Sequence, residues 1–158
     1  MTTKILSKAI LAAILMSGWV TSASALTSAE ADSILFMKQE EKVARDVYQV
    51  LYQKWGHFTF ANIAVSEQRH MSALDNLIAR YRLTDTSPAE VGKFSIPELQ
   101  ALYDQLVALG SRSLEDALTV GVLIEETDIA DLQAALKATR ERLIRNVLSN
   151  LLSGSYNH

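Results

Sequence analysis

Helix-breaking residues are nearly missing from this chain, with two prolines and six glycines among 158 residues. No stretch alternates apolar and polar residues as a half-buried strand would, whereas apolar residues recur at helical spacing along most of the length. The spacing predicts helix one over Ser28 to Trp55, with Ile34, Met37, Ala44, Tyr48, Leu51 and Trp55 on one stripe and Gly56 as its C-terminal cap. Helix two follows from about Phe60 to Tyr81, turning Ile63, Met71, Leu74, Ile78 and Tyr81 inward. Leu83 to Phe94 holds Asp85, Ser87, Pro88 and Gly92 and reads as a loop. Pro97 suits the first turn of a short helix through Leu109, which Gly110 stops. Ser113 caps a long helix whose first turn carries Glu115 and Asp116, favourably placed on the helix dipole. Its stripe is Leu114, Leu118, Gly121, Leu132 and Ala135, and a last helix from about Glu141 to the end carries Ile144, Leu148 and Leu151. Helices one and two are joined tightly, as are the last two, and a long connection with its own helix separates the pairs. The expected fold is therefore all-α, a four-helix bundle with one long crossover carrying a short extra helix.

The first 25 residues stand outside that pattern. Lys4 and Lys8 form a basic start, Ala9 to Val20 is apolar, and Ala23-Ser24-Ala25 supplies the small residues of a cleavage site before Leu26. An apolar run of about 12 residues falls short of the roughly 20 that span a bilayer, which favours a cleaved signal peptide over a membrane anchor. Residues 26–158 then form one domain, expected in the periplasm or secreted. The chain has no cysteine, so neither disulfides nor thiolate ligands are available, and metal chemistry would rest on carboxylate and imidazole. A net charge of −3 without a basic stripe argues against a nucleic-acid partner.

The apolar stripes are interrupted by acids. On helix one, Met37, Glu41, Ala44, Tyr48 and Leu51 follow a 4-3-4-3 rhythm that puts Glu41 on the core face. On helix two, Ile63, Glu67, His70, Leu74 and Leu77 do the same, so both members of Glu67-x-x-His70 point inward. The third long helix runs Leu114, Leu118, Gly121, Glu125, Asp128, Leu132 and Ala135, and the last runs Ile144, Leu148, Leu151, Ser155 and His158. Burying unpaired carboxylates is costly unless a cation compensates them, and two metal ions among these side chains would do so. Oxygen and imidazole donors suit iron or manganese, with zinc also able to bind. The alternative is a plain polar core. Glu40 neighbours Glu41 and Glu126 neighbours Glu125, so a rotation of either helix would turn the charge outward, and Arg45 or Arg69 could pair with an inward acid.

Glu41-Lys42-Val43-Ala44-Arg45-Asp46-Val47-Tyr48 resembles the first-helix motif of rubrerythrins and bacterioferritins, members of the ferritin-like superfamily of di-iron carboxylate proteins. Glu67-x-x-His70 resembles the second-helix motif, and Glu125, with Asp128 behind it, the third. Closer still, Glu40 to Tyr48, Ser66-Glu67-Gln68-Arg69-His70-Met71 and Gly154-Ser155-Tyr156-Asn157-His158 resemble the DUF2202 family, over about Ser33 to His158. The resemblance implies Glu41, Glu67, His70, Glu125 and His158 as metal ligands, Glu67 bridging two ions, and oxidation of Fe(II) by dioxygen or peroxide. It departs from the pattern in the last helix, where Ser155 stands in place of a bridging Glu; Asp128 is a candidate substitute donor. Tyr48 is either a partner of Glu41 or a core tyrosine with a satisfied hydroxyl. The partners to expect are metal ions with dioxygen or peroxide, and a homodimer is left open. A non-enzymatic bundle, with a structural metal site or an ion-pair core that binds a partner, is the rival reading.

Overall fold

The computed structural model describes residues 26–158; the leader expected over residues 1–25 lies outside the described residues. Five helices and no strands are present among the described residues: α1 Ser28–Trp55, α2 Phe58–Tyr81, α3 Pro97–Gly110, α4 Leu114–Ala138 and α5 Arg142–Ser155. None of these helices is long and apolar enough to cross a membrane.

The ends of the helices are set by local chemistry. Thr27 and Glu30 form a reciprocal capping box at the start of α1, and Gly56 closes it in the left-handed conformation at φ 66°, where a side chain would be strained. Ser113 accepts from the Asp116 amide at the start of α4, and the Glu141 carboxylate accepts from Leu143 and Ile144 N–H at the start of α5. The α2 helix begins two residues before the expected Phe60, immediately after the α1 cap.

α1 packs against α2 and α4, and α5 packs against the same two, so the four long-axis helices close into a ring. The tight turns at 56–57 and 139–141 make α1/α2 and α4/α5 antiparallel. The Trp55 indole N–H donates to Gly110 O at 2.8 Å, which puts the start of α4 beside the end of α1. Hence the directions run up, down, down, up for α1, α2, α4 and α5, and every neighbour in the ring is antiparallel. The crossover and α3 lie along α1 and α4. A buried clamp holds the crossover down: the Lys42 ammonium meets Asp46, Glu90 O and Lys93 O at 2.7, 2.7 and 3.0 Å, and Gly92 N–H donates to Asp46 at 2.8 Å.

Two apolar cores stack along the bundle. One gathers Val47, Tyr48 and Leu51 of α1, Phe60 and Ile63 of α2, Leu106 of α3 and Val120 of α4. The other gathers Ile34, Met37, Leu74, Leu77, Leu132, Ile144, Leu148 and Leu151. Each Leu or Ile so buried contributes about 1.5–3 kcal/mol. Glu41 on α1, Glu67 and His70 on α2, and Glu125 and Asp128 on α4 fall between the two in sequence, and Ser155 follows the second core at the end of α5, so a polar layer divides the core. α5 spans about 21 Å against about 42 Å for α1 at 1.5 Å per residue, and it stops at this layer.

Two expectations from the sequence are corrected. Leu114 and Leu118 are exposed, and Ala117, Val120 and Ile124 are the buried row, because the first turns of α4 face both α1 and α3 and the inward side is rotated toward α3. α5 does not reach the chain end. It closes at Ser155, and the Asn157 and His158 amides bond back only three residues, to Gly154 O and Ser155 O, tightening the chain into a turn.

Candidate metal centre

Glu67 is the middle of the polar layer. It is 2% exposed, on the second turn of α2 past Phe60 and Ile63, and its two carboxylate oxygens point to different imidazoles. Oε2 lies 2.9 Å from His70 Nδ1, and Oε1 lies 3.0 Å from His158 Nδ1. Each imidazole is faced by a second carboxylate: His70 Nδ1 is 3.1 Å from Glu41 Oε2, and His158 Nδ1 is 3.1 Å from Glu125 Oε2. The five side chains thus form two groups, Glu41–Glu67–His70 and Glu67–Glu125–His158, each with one donor atom per residue within 4.8 Å of the others. Glu67 belongs to both. The imidazole rings lie 5.8 Å apart at 27°, so they are nearly parallel.

Glu126 is exposed, so the inward acid of α4 is Glu125; on α1, Glu41 is buried at 1% exposure while its neighbour Glu40 is half-buried toward Asp128 and Asp131 of α4 and is pushed up to about 9 by burial. Arg69 is exposed, and Arg45 bonds Asp46 and Gln68. Among the described residues, no Lys or Arg pairs with Glu41, Glu67 or Glu125; the basic groups that face them are the imidazoles.

Burial and crowding set the protonation of this layer. Burial, then the nearby Glu67, Asp128 and Glu125, hold the Glu41 carboxyl well above the usual carboxylate range. Burial acts upward on Glu67 too, but hydrogen bonds from His158 and His70 more than offset it and bring it down to about 2. Burial disfavours the charged form of His158, yet the hydrogen bonds to Glu125 and Glu67 prevail and raise it to about 9. Asp128 is pushed up to about 6 by burial, against the pull of the Ser155 hydroxyl. A buried layer of three carboxylates is thus kept together by protons on Glu41 and on the His158 imidazole.

The donor set fits a metal ion. Both imidazoles offer Nδ1 to carboxylate oxygens 2.9–3.1 Å away. Cis donors around an ion with bonds of about 2.1 Å stand about 3 Å apart. Glu41 Oε1 is buried without a hydrogen-bond partner, an orphaned carboxyl oxygen that a bound cation would satisfy once the Glu41 proton is displaced.

Comparison with known families matches residues 30–158 to the uncharacterized protein domain DUF2202. The chain belongs to the DUF2202 family. A curated relative, uncharacterized protein MJ0754 of Methanocaldococcus jannaschii, is 43% identical over 134 residues, covering 84% of this chain and 72% of the relative. The crystal structure of hypothetical protein MJ0754 superposes with a TM-score of 0.83 at 43% identity, over 84% of this chain and 77% of that one.

In this DUF2202 chain the surroundings of the centre include contacts that the helical pattern alone did not reveal. The Tyr48 hydroxyl donates to Glu125 Oε1 at 2.6 Å and lies 3.2 Å from Gly121 O, so Tyr48 partners Glu125 of α4 and not Glu41 of its own helix. Burial, then the charge and hydrogen bond of Glu125, raise its phenol. Gly154 lies against His70: a Cβ there would stand 2.4 Å from Nε2 and 2.7 Å from Cε1. The signal for Gly154 was present as a glycine one residue before Ser155, but its role depends on how closely α5 approaches α2. The Lys42–Asp46 pair gave an i,i+4 signal, which on a surface helix would be an ordinary exposed pair; only the crossover makes it buried.

Proposed function

We propose that this protein is a ferritin-like metal-binding bundle that holds one or two transition-metal ions, iron foremost, between Glu41, Glu67, His70, Glu125 and His158. The observation that carries the reading is the double engagement of Glu67, whose two oxygens each face a separate imidazole that is itself faced by another carboxylate. The up-down-down-up order with its long crossover supports the ferritin-like assignment. Glu67 would bridge the two positions, His70 and Glu41 would complete one, and His158 and Glu125 the other. Iron bound in such a carboxylate-rich site supplies one-electron chemistry toward dioxygen or peroxide, with Fe(II) itself as the substrate of an oxidase. Manganese or zinc would occupy the same donors. The protein's own part is to fix the donors before the ion arrives, to flank the layer with two apolar cores, and to place the Tyr48 hydroxyl on the outer oxygen of Glu125. The leader would put this chemistry in the periplasm.

The protonated His158 between Glu67 and Glu125 favours one other reading, a metal-free ion-pair core in a non-enzymatic bundle. Elemental analysis of protein purified without added metal, beside Glu67→Gln, separates the two. Near-stoichiometric iron or manganese that disappears in Glu67→Gln is the expected result, and wild-type protein that neither carries nor takes up Fe(II) refutes it. A chelator should also lower the melting temperature. An ion at 100 times its Kd stabilises the native state by about 2.7 kcal/mol, on the order of 10 °C for a domain of this size. Oxygen uptake on adding Fe(II) then distinguishes an oxidase from a structural site.

A further inference from the structure

We infer that Asp128 is a sixth ligand of the centre and that Ser155 is the residue that positions it, an inference that rests on the metal-binding reading above. Asp128 stands one turn after Glu125 on the same face of α4, the spacing by which α2 presents Glu67 and His70. The Ser155 hydroxyl, on the last residue of α5, donates to Asp128 Oδ2 at 2.6 Å. Ser155 is 3% exposed, so this hydrogen bond is shielded from water and fixes the carboxylate. The other oxygen, Asp128 Oδ1, is buried and has no hydrogen-bond partner. A carboxylate with one oxygen anchored and the other bare is arranged as a monodentate metal ligand is, and a buried anionic oxygen left bare is otherwise costly.

Charge balance leads to the same residue. Glu41, Glu67 and Glu125 bring three negative charges, and with neutral imidazoles two divalent ions would leave the layer with one positive charge in excess. Asp128 cancels it. Its charge bears on Glu41 and is acted on by Glu67, Glu125 and His70, so it stands beside the layer, just outside the two groups whose donor atoms lie within 4.8 Å of one another. Ser155 cannot itself replace a bridging carboxylate, since a serine hydroxyl is a poor anionic donor at neutral pH. Acting through Asp128, it lets α4 supply two carboxylates where α5 supplies none.

The test is anaerobic Co(II) titration of the full purified protein, read by affinity and by the visible cobalt bands. Asp128→Asn keeps the shape and the Ser155 contact but removes the anionic donor. It should weaken at least one ion by more than about 100-fold, beyond the ~10–100-fold that losing an outer partner costs, and should move the cobalt bands. Ser155→Ala should weaken binding by about 10-fold with a shifted band, and Ser155→Thr should restore both. Wild-type affinity and bands in Asp128→Asn, or a loss no larger than that of Ser155→Ala with bands unmoved, overturn the inference. Should Asp128→Asn fail to fold by circular dichroism, Ser155→Ala decides, and an unmoved band overturns the assignment. Glu67→Gln keeps the two proposals apart. Cobalt lost in Glu67→Gln but retained in Asp128→Asn leaves the metal-binding reading standing without Asp128, whereas wild-type protein that binds no cobalt refutes both.

Discussion

Replacing Gly154 by alanine perturbs one imidazole through one added methyl group. The new Cβ would stand 2.4 Å from His70 Nε2, and ordinary contact requires 3.4 Å, so the ring or α5 must yield by about 1 Å. The ring cannot retreat along its own length, because Nδ1 on its far side already stands 2.9 Å from Glu67 and 3.1 Å from Glu41. It must turn, or α5 must lift and carry Ser155 and His158 with it. Overpacking of this kind costs about 1–3 kcal/mol. Replacing a helical glycine by alanine returns up to about 1 kcal/mol, less here because Gly154 is next to the end of α5. The net loss of stability without metal is therefore about 0–3 kcal/mol, at most about 10 °C in melting temperature. Metal affinity responds more steeply, since misplacing a ligand's support costs about 10–100-fold. Parallel Co(II) titration and chelator-treated melting of Gly154→Ala and wild type provide the assay. Wild-type metal affinity in Gly154→Ala, at any melting temperature, refutes the argument that the approach of α5 fixes His70.

Three more predictions concern the polar layer and its surroundings. At neutral pH without metal, Glu41 and His158 hold protons that an ion must displace, so binding should release protons and tighten as pH rises toward about 9, as calorimetry in buffers of different ionisation enthalpy would show; affinity independent of pH between 6 and 9 would contradict the assignment of His158 as a ligand. The sign for stability is opposite. His158 is raised from 6.5 to about 9, so its contribution in the metal-free protein is complete below pH 6.5 and is lost as pH rises through 9, whereas that of Glu67, lowered to about 2, is present above 4.5 and lost as pH falls through 2. Lys42→Met removes the cation under the crossover and leaves Asp46 with Arg45 and the Gly92 amide. Breaking a buried pair costs up to about 3–5 kcal/mol, so urea unfolding should show a loss of at least about 2 kcal/mol, and a loss below 0.5 kcal/mol would show that the clamp is not what holds the crossover.

The helices were legible because their breakers are few and well placed. Gly56, Pro97, Gly110 and Ser113 mark ends within a residue or two of where the structure puts them. The inward acids were legible for the same reason, since a 4-3-4-3 rhythm on α1 and α2 leaves Glu41 and Glu67 no other face. The rhythm failed where a helix meets two neighbours at once. Leu114 and Leu118 continue the stripe of α4 in sequence, but α3 turns that end so that Ala117 and Val120 are buried instead. It picked out His158 as inward but not its setting, since His158 reaches Glu67 and Glu125 from a tightened turn beyond α5. Partnerships across the crossover, such as Lys42 with Glu90 O and Lys93 O, depend on a loop path that no periodicity encodes.

The same contacts that would hold an ion also explain how the layer folds without one. Three inward carboxylates would repel one another if all were charged, yet Glu67 stays ionised between two imidazoles while Glu41 takes up a proton. His158 stands between Glu67 and Glu125, where its proton supplies the positive charge that an ion would otherwise bring. An incoming ion would therefore replace protons among donors already 2.9–3.1 Å apart, with little side-chain entropy left to lose. This division of labour accounts for the apolar cores on both sides of the layer. They fix the helices whether or not the centre is filled, so the affinity for an ion would be set by the groups within the layer and by the contacts that support them.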